Sequence, residues 1–176
     1  MAKTYNTFTN VSTGDVLTAT NFNNVLTNIG NYRVPPMCMV YRSSNLTSYS
    51  SNAAITWNAE SYDTDDMWSS GSSITINTAG VYLIQFKVHV TATATLTSVA
   101  PLVLINGTSV GQFFSTSSFA GTATQMLYSY VTSLAATNTV GAAVEIVGGS
   151  AYIIKGGTLN TVDASALSVT WLGQVS

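Results

Sequence analysis

Ile74-Thr75-Ile76-Asn77-Thr78-Ala79-Gly80-Val81-Tyr82-Leu83-Ile84-Gln85-Phe86-Lys87-Val88-His89-Val90 is the stretch that decides the fold. A short strand runs into an Ala79-Gly80 turn, and a long strand with strict alternation follows. Tyr82, Ile84, Phe86, Val88 and Val90 fall on one face; Gln85, Lys87 and His89 fall on the other. A period of two with one apolar face is the mark of a half-buried antiparallel strand.

The rest of the chain agrees with an all-β domain. From Pro36 onward, strand signals recur near 37–42, 53–58, 62–68, 73–77, 81–92, 99–105, 110–116, 123–134, 139–147, 150–155 and 166–173. Ser43-Ser44-Asn45, Ser70-Gly71-Ser72, Asn106-Gly107, Gly148-Gly149 and Gly156-Gly157 punctuate them. Many short strands with turn signals between them predict a sandwich or jelly roll. Asn106-Gly107 between two apolar runs predicts a type I′ hairpin, because both central residues of that turn need positive φ. No internal repeat is visible.

Upstream the period changes. Phe22, Val25, Leu26 and Ile29, with Tyr32 beyond them, form one face of a short amphipathic helix. Thr18 or Thr20 can cap its start and Gly30-Asn31 can end it. Its other face, Asn23, Asn24, Thr27 and Asn28, is made of poor helix formers, so the helix needs a partner surface. Arg33-Val34-Pro35-Pro36 stops it. Residues 1–35 thus read as an extended arm plus a helix, and 36–176 as the β domain. The apolar stripe Phe22, Val25, Leu26 and Ile29 is either a docking or oligomerisation element or a plug for its own domain.

Composition bounds the partners. Of 176 residues, 46% are hydrophobic and only 7% charged, against about 25% charged in an ordinary soluble domain. Ser and Thr fill the deficit. A weakly charged Thr/Ser/Ala surface is cheap to desolvate, as in a protein that packs against copies of itself; a neutral extracellular domain shares the composition. The net charge is −2 and the five cations are scattered, which disfavours nucleic acid. No apolar run reaches the roughly 20 residues of a membrane helix, so no membrane insertion is expected. The opening residues lack the apolar core of a signal peptide, and Cys38 is the one cysteine. The reading is therefore a chain not secreted by the usual route, with a buried structural thiol.

Motifs for chemistry are weak. His89 is the only histidine, and neither a triad nor a zinc site is apparent around it. Asp63, Asp65 and Asp66 are weak calcium candidates; they lack the glycine and terminal Glu of an EF-hand loop, and a solvated turn is the simpler reading. No phosphate loop, G-x-S-x-G or H-E-x-x-H occurs. No catalytic residue and no cofactor are expected. Trp57, Trp68 and Trp171, with Tyr82 and Phe86, sit in strand patterns and read as core or interface aromatics rather than as a sugar platform.

Two family resemblances emerge. Ala54-Ile55-Thr56-Trp57, Tyr62-Asp63-Thr64-Asp65-Asp66-Met67-Trp68, Ile74 to Tyr82 with its Ala-Gly-Val-Tyr, and Leu104-Ile105-Asn106-Gly107-Thr108 follow one another in an order that resembles the globular head of complement first-component subunit q and the tumour-necrosis-factor jelly rolls. Ser168 to Gly173 resembles the last central strand. The likeness covers about residues 37–174. It departs at Ala135-Ala136-Thr137-Asn138-Thr139-Val140, where the family carries a Gly-Asp turn. The resemblance implies a TNF-like jelly roll of about ten strands that forms a homotrimer. Separately, Gly14-Asp15-Val16-Leu17-Thr18-Ala19-Thr20-Asn21-Phe22-Asn23-Asn24 resembles the opening of many tailed-bacteriophage virion proteins. That implies a structural virion protein assembled in the bacterial host cytoplasm. It would be a capsid decoration, cement or short fibre, mounted through residues 1–35 on the major capsid protein or a tail protein. The rival reading is a tail-tip or tail-fibre receptor binder contacting host surface glycans through Trp57, Trp68 or the 63–66 acids. A depolymerase would need paired carboxylates in a cleft, and seven dispersed acids argue against one.

Overall fold

A computed structural model describes Lys3, Asn6 and residues 18–112, 122–159 and 163–174. It contains helix α1 (Ala19–Arg33) and strands β1 (Met37–Tyr41), β2 (Leu46–Tyr49), β3 (Ala59–Asp63), β4 (Ser73–Thr75), β5 (Gly80–Thr91), β6 (Leu96–Ile105), β7 (Thr108–Gln112), β8 (Ala123–Leu134), β9 (Thr139–Gly148), β10 (Tyr152–Ile154) and β11 (Ala166–Gly173). The extended arm expected over 1–17 lies outside the described residues except at Lys3 and Asn6, as do 113–116 of one expected strand.

The strands form two antiparallel sheets. In the larger one, β8 pairs with β5 along its whole length, Gly80↔Leu134 to Thr91↔Ala123. The opposite edge of β5 is shared end to end by β11, which faces Val81 to Lys87, and β10, which faces Val90 and Thr91. β1 and β3 continue outward from β11, and β2 from β10. The smaller sheet runs β4-β9-β6-β7. The alternation of β5 holds residue for residue: Tyr82, Ile84, Phe86, Val88 and Val90 are all fully buried. They meet Val99, Val103, Val140, Ala142, Val144 and Ile146 of the smaller sheet, and Cys38, Val40, Leu167, Val169 and Trp171 of their own, in one core. Each fully buried Val, Ile or Phe contributes about 1.5–3 kcal/mol by leaving water.

Local chemistry explains the element ends. Asn106 and Gly107 have φ of 52° and 78°, the expected hairpin geometry, between Ile105 and Thr108. The turn at 135–138 contains no glycine. Thr137 takes a positive φ of 75° there, and Asn138 Oδ1 accepts the Ala135 N–H at 2.8 Å. Thr18 caps α1, its Oγ1 accepting the Asn21 N–H at 3.2 Å.

Several expectations need correction. α1 does not end at Gly30-Asn31; it continues to Arg33 and stops at Val34, the residue that Pro35 forces out of the helical region. The 53–58 segment is not a strand. Ile55 and Trp57 do point inward, but the backbone makes only the bridges Ala54↔Ala143 and Trp57↔Gly71. The strand expected at 62–68 is β3, which ends at Asp63, because the Asp63 carboxylate turns the chain: Oδ1 accepts from Asp65 N (3.0 Å) and Oδ2 from Trp68 N (2.8 Å). β2 lies in the polar run after Ser43, where the sequence carries no strand signal.

Gly80 is required by a close approach. A Cβ there would overlap the Trp171 indole and the Gly173 carbonyl. Gly80→Ala is expected to cost about 1–3 kcal/mol, the range for overpacking a filled core. Gly30→Ala meets nothing within 4 Å and is expected to leave stability unchanged or to raise it by about 0.5–1 kcal/mol. Thermal melts of the two variants check both; equal melting temperatures would refute the packing account.

Candidate functional site

The alternation that buries one face of β5 exposes the other. Register places its outward residues in rows. Leu83 stands between Thr170 and Val131, with Met37 beyond Thr170; Gln85 stands between Ser168 and Ser129, with Met39 beyond; Lys87 stands between Ala166 and Leu127, with Tyr41 beyond. Leu127 is 68% exposed and Val131 55%. Tyr62 of β3, opposite Met39, extends the face. A hollow of about 200 Å³ opens in it, lined by Met39, Gln85, Lys87, Leu127, Ala166 and Ser168. Charge is sparse in these rows: Lys87 within them, and His89 at the upper end, whose Nδ1 lies 3.0 Å from Asp163 Oδ1. Four strands thus present Met, Leu, Val, Ala, Ser and Thr outward. That surface can be desolvated cheaply and has the composition of an interface core.

The aromatic candidates lie elsewhere. Trp57 is buried, edge-on to Phe86 with ring centroids 6.3 Å apart. Tyr82 is fully buried and its hydroxyl donates to Thr78 O at 2.6 Å. Trp171 is buried at the lower end of β11, its indole N–H reaching Ala79 O at 3.3 Å and its ring 5.7 Å from that of Tyr32. Trp68 packs against the core with a buried indole nitrogen. Trp57 and Trp68 do not form an exposed stacking platform.

The acidic cluster is also divided. Both Asp63 oxygens are occupied by backbone N–H groups. Asp66 is exposed, and the positive charge of the N-terminal amine holds its carboxyl below the ordinary value. Asp65 is fully buried, its Oδ2 accepting from Thr78 Oγ1 at 2.8 Å while Oδ1 has no partner. Among the described residues, no three His, Cys, Asp or Glu side chains are grouped to hold a metal ion. Cys38 is fully buried. Burial, and then the nearby carboxylates of Asp63 and Glu60, push its thiol up and keep it protonated.

Most of the helix stripe stays open, with Val25 partly covered. No α1 residue is buried, and Phe22, Leu26 and Ile29 are about half exposed. The plug reading fails for these three; among the described residues of the stripe, Tyr32 meets Trp171.

Comparison with known proteins follows the fold. No family model and no curated sequence matches. Among solved structures, the globular domain of zebrafish complement 1qA aligns with a TM-score of 0.53 at 14% identity, over 80% of this chain and 99% of that one. Murine APRIL aligns with a TM-score of 0.56 at 8% identity, over 78% and 98%. The fold is a C1q/TNF-like jelly roll. Identities this low carry the fold of the jelly roll and nothing of its partners. The sequence does not mark Leu127 and Val131 as outward, because β8 is apolar on both faces (Met126, Tyr128 and Tyr130 against Leu127 and Val131) and its alternation names no inward side.

Burial raises the Asp65 carboxyl above its ordinary value of 3.8, so the fold prefers the neutral acid. The stability this favours is fully present below 3.8 and is lost as pH rises through the raised folded value. Between about pH 7 and about pH 4, acidification is expected to raise the melting temperature of the native protein relative to Asp65→Asn. A difference that does not change with pH would refute this.

Proposed function

We propose that this chain is a non-catalytic structural protein of a tailed-phage particle. Its jelly roll forms a homotrimer, and residues 1–35 mount it on the major capsid protein or a tail protein. Assembly takes place in the host cytoplasm, and the finished protein serves as decoration, cement or a short fibre. The observation that carries the self-association is the exposed face of β1, β11, β5 and β8, where Leu127 and Val131 stand 68% and 55% exposed among nearly uncharged neighbours. A soluble monomer guards such a surface with charge; this one does not. The C1q/TNF-like fold and the phage-like 14–24 segment support the same reading.

Two measurements test it. The native mass of the full-length protein is expected to be three times 18.5 kDa. Val131→Asp or Leu127→Asp buries a carboxylate without a partner at the contact, which costs about 3–5 kcal/mol per copy, and is expected to give a folded monomer. A trimer unaffected by both variants would place the contact elsewhere. Detection of the chain in density-purified particles from its host checks the virion assignment; its absence from them would refute it.

A further inference from the structure

We propose that the α1 stripes of three copies pack against one another below the jelly rolls, forming a short helical clasp. This rests on the self-association reading and names what covers the stripe. Phe22, Val25, Ile29 and Tyr32 follow the 3-4-3 spacing of a two-heptad seam. Tyr32 is taken up against Trp171, which leaves Phe22, Val25 and Ile29, flanked by Leu26, as the seam. α1 contains no acid, and Arg33 is its only base, so no like-charge repulsion opposes bundling.

The joint between helix and sheet is fixed to the domain by hydrogen bonds. Thr64 Oγ1 donates to Pro35 O at 2.6 Å, and Met37 N–H donates back to Thr64 Oγ1 at 2.8 Å. Trp171 N–H donates to Pro36 O at 2.9 Å. The helix therefore leaves the domain at Met37, the border residue of the Met37–Thr170–Leu83–Val131 row. Copies that share this face bring their helices together.

Asn6 meets the polar face of the helix. Asn6 N–H donates to Asn28 Oδ1 and Asn28 Nδ2 to Asn6 O, both at 2.9 Å, and Asn28 lies on the polar face. A helix about 22 Å long is too short to trimerise alone. Tethered by a three-residue joint to an assembled face, it meets its partners at millimolar effective concentration.

The test is a cysteine at the seam. Ile29→Cys and Thr27→Cys are made in the full-length protein, the second on the opposite side of the helix; the buried, protonated Cys38 stays silent. Under mild oxidation, Ile29→Cys is expected to give covalent dimers within a native trimer, at least tenfold more than Thr27→Cys. A native trimer in which the two positions cross-link equally, or not at all, overturns the clasp while leaving the sheet-face trimer standing. A native monomer overturns the underlying reading and the clasp with it.

Discussion

The inward phase of β5 is the constraint on which the rest depends. Five alternate positions, Tyr82 to Val90, are fully buried, and three other strands take their register from this one. A slip of one residue would exchange them for Gln85, Lys87 and His89. Burying a lysine and a histidine without partners costs more than any turn or cap on the surface can return. The phase of β5 therefore sets the phases of β8, β11 and β1, and with them the composition of the outward face.

Around that rigid centre, the irregular segments are held by a few polar side chains. Arg42 is buried and donates to three carbonyls, those of Ser44, Asn45 and Thr56, tying the 43–58 excursion to the end of β1. The Tyr49 hydroxyl accepts from Val144 N–H at 2.8 Å, so an edge strand of one sheet is pinned to the centre of the other. Burial pushes that hydroxyl's pKa up to about 12, and it remains a neutral donor and acceptor at physiological pH. Asp63 and Thr64 do the same work at the base, where the helix leaves the domain. These bonds replace the ladder that the segments lack and let a chain rich in Ser, Thr and Asn bury irregular backbone.

The two uncovered apolar surfaces differ in kind. The sheet face is broad and flat, and β5 defines it. The helix stripe is narrow and belongs to an element with no buried residue of its own. They meet at the Pro35-Pro36 joint, whose proline rings and hydrogen bonds restrict how far one can turn against the other. The two surfaces are therefore mechanically linked.

The sequence by itself determined what local periodicity can express. The inward set of β5, the Thr18 cap, the apolar stripe of α1 and the Asn106-Gly107 turn were legible, because each depends on spacing or on one residue's φ preference. The jelly-roll order was legible from motifs strung along 37–174. Only the tertiary structure decided which side of β8 faces out, since both of its faces are apolar and the choice comes from pairing with β5. It likewise decided that Ile55 and Trp57 point inward without forming a strand, and that Asp63, Asp65 and Asp66 part into backbone ligand, buried acid and exposed acid. Neighbours in sequence carry the same chemistry, but the burial of Asp65 and its bond to Thr78 are set by residues farther along the chain, and no local pattern records them.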